Sequence, residues 1–165
     1  MKRVFFLLAV ILIPGYLCAQ NTTIDKLFDK YQGKDGVTTV MVGPELFQVI
    51  KSMDIEEIDG HDFPVDKLSS VKILTIEDEE KWEGVNFFKE VEDELDVSSY
   101  AEVMTVNDGG ETVKMWMKNE GKQILEFLLI VGGDDNVLIY ITGNFSLDDV
   151  EGIAESFDHD LDLDI

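Results

Sequence analysis

Disulfides, a membrane-spanning run and the familiar catalytic signatures are all missing from this sequence of 165 residues. Its one cysteine, Cys18, cannot form an internal disulfide, so the fold must be held together by its core. Only His61 and His159 can supply imidazole chemistry. There is no Walker loop, no serine in a nucleophile elbow, no HExxH pair and no EF-hand loop. The glycines of NDGGE and VGGDD have acidic neighbours that would repel a phosphate. No cofactor is therefore expected. Basic residues are scarce, 13 Lys and Arg against 35 Asp and Glu, for a net charge of −22. A field of that sign repels phosphate backbones and anionic headgroups, which sets nucleic acid and membrane surfaces aside as partners. It leaves cations, cationic partners or other proteins.

The chain opens with Lys2 and Arg3, then the apolar run Val4–Ile13, broken by Pro14 and Gly15. Ten apolar residues are too few for a span and have the layout of a secretory signal peptide. Cleavage is expected after Ala19. Cys18 offers a competing reading as a lipid anchor, although Leu17 is bulky where a lipoprotein cut requires a small residue. The expected organisation is a signal peptide at 1–19, one domain at 20–157 and an acidic tail at 158–165. Without the leader, 146 residues keep 11 of the 13 basic side chains and all 35 acidic ones, a net charge of −24. A domain of that length buries about 68–70% of its unfolded surface, enough for a core without cross-links. The expected location is the periplasm or the outer surface.

Hydrophobic periodicity then sets the elements. Ile24, Leu27, Phe28 and Tyr31 follow helical spacing after a capping Thr22 or Thr23, and Gly33 suits the stop. VTTVMV at 37–42 reads as a strand. Pro44 opens a helix whose stripe is Leu46, Phe47, Ile50 and Met53. A polar loop covers 54–70. VKILTI at 71–76 reads as a strand, and Asp78–Leu95 as a helix with Trp82, Val85, Phe88 and Val91 on one side. That helix ends in acids that oppose its dipole, so its last turns should fray or find a cation. Four strands follow, with an Asp-Gly hairpin between the first two. The last two, at 123–131 and 137–142, are apolar on both faces and should be central. Ser146 and Asp149 are spaced as a capping box, Phe145 and Val150 as its staple, before a helix with Val150, Ile153, Ala154 and Phe157 on its stripe. The order is α-β-α-β-α-β-β-β-β-α. The reading is a two-layer α+β domain: a mixed sheet of about six strands ending in an antiparallel meander, with helices mainly on one face.

Few residues suggest chemistry. The closing FDHDLDLDI contains Asp158, His159, Asp160, Asp162 and Asp164. In an extended chain its carboxylates line one side and its leucines the other, a ladder rather than a cage for a cation. Such a segment is a solvated tail or a strand that docks on a sheet edge. His61, between Asp59 and Asp62 in sequence, is a metal-ligand candidate without spaced partners. Glu77, Asp78, Glu79 and Glu80 could pair for acid–base work, but a helix N-terminus accounts for them more simply. In 112–118, Lys114, Trp116 and Lys118 share one face of a strand and form the candidate partner contact.

Several stretches occur together in a recognisable order. They are the KYQGKDGVTTV entry, the strand leading into Thr75, Glu77 and Asp78, and the ITGNFSLDDV turn near the end. In these the chain resembles the family called domain of unknown function 4252, from about Ile24 to Phe157. The resemblance implies a small exported protein of a Gram-negative bacterium, with some relatives anchored as lipoproteins, and carries no activity with it. The functional reading is a non-catalytic binding module of the cell envelope, which should expose Trp116 or an unpaired strand. Two alternatives stay open: a cation-dependent protein or hydrolase using His61 and the acidic residues, and an accessory subunit in envelope stress signalling.

Overall fold

The structure is a computed structural model that describes residues 22–53, 65–146 and Asp149. Helix α1 spans Thr23–Tyr31, strand β1 Val37–Val42 and helix α2 Pro44–Ser52. Strand β2 spans Leu68–Ile76 and helix α3 Phe87–Glu94. The meander follows as β3 Ala101–Asp108, β4 Glu111–Glu120, β5 Gln123–Gly132 and β6 Asn136–Phe145. One sheet contains all six strands in the order β1-β2-β6-β5-β4-β3. The α+β architecture, the six strands, the closing meander and the central place of β5 and β6 agree with the sequence reading.

One detail of that reading is corrected. Every neighbouring pair is antiparallel, so the sheet is not mixed. Helices α1 and α3 share one face and α2 takes the other, so the described helices lie mainly on one face, as expected. Ile24, Leu27, Phe28 and Tyr31 of α1 and Phe87 and Val91 of α3 bury against Leu74, Trp116, Leu128, Ile130, Leu138 and Tyr140. Phe47 of α2 joins Leu68, Phe127, Ile139 and Ile141 on the opposite face. The physical reason lies in β5 and β6, whose apolar residues point both ways and need cover on both sides. Each fully buried Leu, Ile or Phe there contributes about 1.5–3 kcal/mol relative to exposure.

Local chemistry explains the helix ends. Thr22 and Asp25 form a reciprocal capping box at α1, with bonds of 3.1 Å and 3.0 Å. The third helix is shorter than expected. Gly84 adopts φ +83°, which ends the turns that follow Asp78, and Asn86 then caps a new start through Lys89 N–H at 3.0 Å. Asn136 of β6 accepts the Phe87 N–H at 2.8 Å, so two asparagines serve one helix N-terminus. Gly132 permits this approach, since a Cβ there would lie 2.6 Å from the Phe88 nitrogen. Glu90, expected in the last turns, falls instead in the first turn of α3, where it pairs with Lys30 at 2.7 Å, and the last turn holds no basic residue.

Ser146 donates its backbone N–H to Asp149 at 2.7 Å, half of the capping box read from the sequence. The rest of that helix, including Val150, Ile153, Ala154 and Phe157, lies outside the described residues, as do His61 and the tail with Asp158, His159, Asp160, Asp162 and Asp164.

Candidate functional site

Strand alternation places Lys114, Trp116 and Lys118 on one face, as expected, but that face is the one covered by α1 and α3. Trp116 is only 4% exposed. Its ring stacks with Phe88 at a centroid distance of 6.3 Å and an interplanar angle of 26°. Lys114 lies over the same two rings and reaches Glu102 at 3.2 Å. The exposed tryptophan that a contact surface would need is therefore not there. Trp116 is core, and the lysines beside it are paired.

Lys118 leads to a network that sequence reasoning missed. Its ammonium donates to Glu126 of β5 at 2.8 Å. The same carboxylate accepts from the hydroxyl of Tyr100 at 2.5 Å and from that of Tyr140 at 2.7 Å. Burial pushes Glu126 upward, but the bonds from Lys118, Tyr100 and Tyr140 together outweigh it and hold its pKa below the ordinary value. Burial, then the bonds to Glu126, push both phenols above their usual range. At neutral pH the phenols are thus donors and the carboxylate an acceptor, with no base free to take a substrate proton. The network joins the start of β3 to β4, β5 and β6. A lone acid within QILEFLLIV was the visible signal for it.

The acidic cluster is also not where the sequence suggested. Glu77, Asp78, Glu79 and Glu80 are exposed and sit in turns, eight or more residues before α3 begins for all but Glu80. Asp78 accepts the Lys81 N–H at 3.1 Å. Glu79, Trp82, Glu83, Asp134 and Asn136 line a cavity of about 170 Å³ nearby. Among the described residues no group of three His, Cys, Asp or Glu side chains is placed to hold a metal ion.

The sheet ends in two edge strands, β3 and β1, and the β1 margin is the one without charge. The six residues of β1, VTTVMV, include no charge and no proline. Gly36 accepts from the Glu77 N–H at 2.9 Å, and Gly36 and Glu77 precede and follow the Val37–Ile76 pair of the ladder. Because antiparallel pairs alternate, Val37, Thr39 and Met41 turn their backbone groups away from β2. Val40 is 42% exposed and Met41 55%. Helix α2 starts one residue after Gly43 ends the strand, and it adds Leu46, Val49 and Met53, all at least half exposed. Leu46 and Met53 were expected in the buried stripe. Only Phe47 is buried, because α2 spans a sheet margin and has a partner on one side alone.

A groove of about 510 Å³, lined by Ala101, Met117, Ile124 and Ser146 among others, opens at the opposite side of the sheet. Among the described residues no helix is long and apolar enough to cross a membrane. No curated protein and no solved structure matches the chain. A family model does, over residues 31–153, under the description "Domain of unknown function (DUF4252)". That range takes in β1 through β6 and all of α2 and α3, so the chain belongs to the family of this domain of unknown function.

Proposed function

We propose that the protein is an exported, non-catalytic binding module of the Gram-negative cell envelope, and that its contact surface is the β1–α2 margin. The observation that carries this reading is the uncharged edge strand with outward backbone groups, continued by the exposed side chains of Leu46, Val49 and Met53. Exposed edges of this kind are templates for strand pairing, and soluble proteins normally blunt them with charge, proline or a bulge. Export is supported by the leader-like Lys2–Gly15 segment.

A photo-activated cross-linking residue placed at Thr39, in cells, tests the reading. Thr39 should give adducts with a polypeptide, while the same probe at Thr105 on β3 should not. Absence of adducts at Thr39, or equal adducts at both positions, would overturn the assignment of the surface. The mass of the protein recovered from the envelope fraction tests export. A chain starting at Gln20 supports signal cleavage, acyl mass on Cys18 supports the lipid anchor, and a retained Met1–Ala19 segment refutes both.

A further inference from the structure

We infer that the occupant of this margin is a second copy of the same chain, joined by antiparallel pairing of β1 with its counterpart about a two-fold axis at Thr39. This rests on the reading of the β1–α2 margin as the contact surface, and it names the partner.

The backbone argues for it first. The residues that face outward are Val37, Thr39 and Met41, spaced evenly about Thr39. Under a two-fold, Thr39 meets Thr39 of the other copy and the two exchange both of their bonds. The Met41 N–H then reaches the carbonyl of Val37 in the other copy, twice. The Val37 N–H already donates to Lys34 at 3.3 Å, and this arrangement leaves that bond intact. Four interchain bonds form without breaking any bond of the monomer.

The side chains agree with the same axis. On the face shared with α1 the cross-strand pairs are Val37 with Met41 and Thr39 with Thr39. On the α2 face Val40 meets Thr38. All are uncharged, and β-branched or apolar pairs stabilise antiparallel neighbours. This matters in a chain of net charge −22, where an acid at the edge would face its own image. Before the strand stand Lys34 and Asp35, of which Asp35 is paired with Lys81 of its own chain, and Glu45 follows the strand. Antiparallel pairing brings Lys34 of each copy toward Glu45 of the other. Lys34 has no ion-pair partner among the described residues of its own chain.

The other edge explains why the assembly should close at two. Strand β3 carries Glu102 and Asp108, and its register shifts between Glu102 and Met104. A charged, bulged edge is a poor template, so β1 pairs with β1 and no open chain of β1-to-β3 contacts grows.

Sedimentation equilibrium of the protein, purified as cells process it, provides the test. The dimer mass should appear, and its share should rise from low salt to ~1 M salt, where the Debye length falls to ~3 Å and the repulsion of two acidic bodies is screened. Thr39→Glu and Thr39→Lys should each weaken association at least about tenfold, a change of ~1.4 kcal/mol, because like charges then face each other. Mixing the two variants should restore a dimer that contains one chain of each. That rescue also shows that both variants are folded. A dimer unaffected by either variant overturns the inference, since another surface must hold it. A monomer under all conditions, together with Thr39 adducts to a different polypeptide, overturns the second copy and leaves the binding module standing. A monomer with no adducts removes both.

Discussion

The two edges of one sheet are built in opposite ways. Strand β3 has two acids, a register shift, and a staple behind it in which Tyr100, Lys118 and Tyr140 converge on Glu126. Strand β1 has no charge and no register shift against β2, while exposed valines occur on both edges, Val40 on β1 and Val103 and Val106 on β3. Both are equally exposed to solvent in the topology, so solubility alone cannot account for the difference. The difference is what the proposed contact at the β1 margin would require, since charge and a bulge on β3 both oppose strand pairing.

The largest effect should come from behind the protected edge. Trp116→Ala removes a buried ring from beneath Phe88 and should cost about 3–5 kcal/mol, read by urea denaturation. A loss below ~0.5 kcal/mol, the range of ordinary surface changes, would return Trp116 to the status of a contact residue.

The staple itself comes next. Glu126→Leu leaves Lys118 and two phenols without their acceptor and should cost about 1–3 kcal/mol. Its pH dependence has a definite sign. Glu126 has a folded pKa below its unfolded value, so the native state binds fewer protons and the stabilisation is present above the unfolded pKa. It is lost as pH falls through the folded value. Melting temperature should therefore decline in that acidic window, and Glu126→Gln should decline less. An equal decline in both would assign the acid sensitivity to other carboxylates, such as Asp25 with Lys72.

The smallest stability effects should separate the two edges most sharply. Thr39→Lys on β1 and Thr105→Lys on β3 are both edge substitutions, expected to stay within ~0.5 kcal/mol at protein concentrations where the chain is monomeric. Only Thr39→Lys should alter association. If Thr105→Lys alters it equally, the comparison between the edges fails.

Much of this architecture was legible in the residues. Alternation identified all six strands, and in the closing meander Gly109, Gly110, Gly121 and Gly133 adopt positive φ values at the turns. Period and capping identified α1 in full. The errors have physical causes. The apolar residues of 44–53 have helical spacing, but periodicity does not say how much of a stripe finds a partner. The segment 78–95 has helical spacing too, and Gly84 with the Asn86 cap decides that only its second half is a helix. Trp116 between two lysines looks the same in sequence whether a helix lies over it or not.

The candidate site was less legible than the fold. VTTVMV announces a strand, but edge or centre depends on which strands become neighbours. That is a long-range outcome in which β2 pairs with β6 across some sixty residues of chain. Glu126 is conspicuous as a lone acid in an apolar run, yet its meaning depends on Tyr100, Lys118 and Tyr140 arriving from three other elements.

The sequence by itself determined the element types, the absence of disulfides and the sign of the field, because these follow from local periodicity, cysteine count and charge. Only the tertiary structure decided which strands lie at the edges and which aromatic is covered. Pairing between distant strands is selected by burial of both sheet faces at once, and no local pattern contains that information.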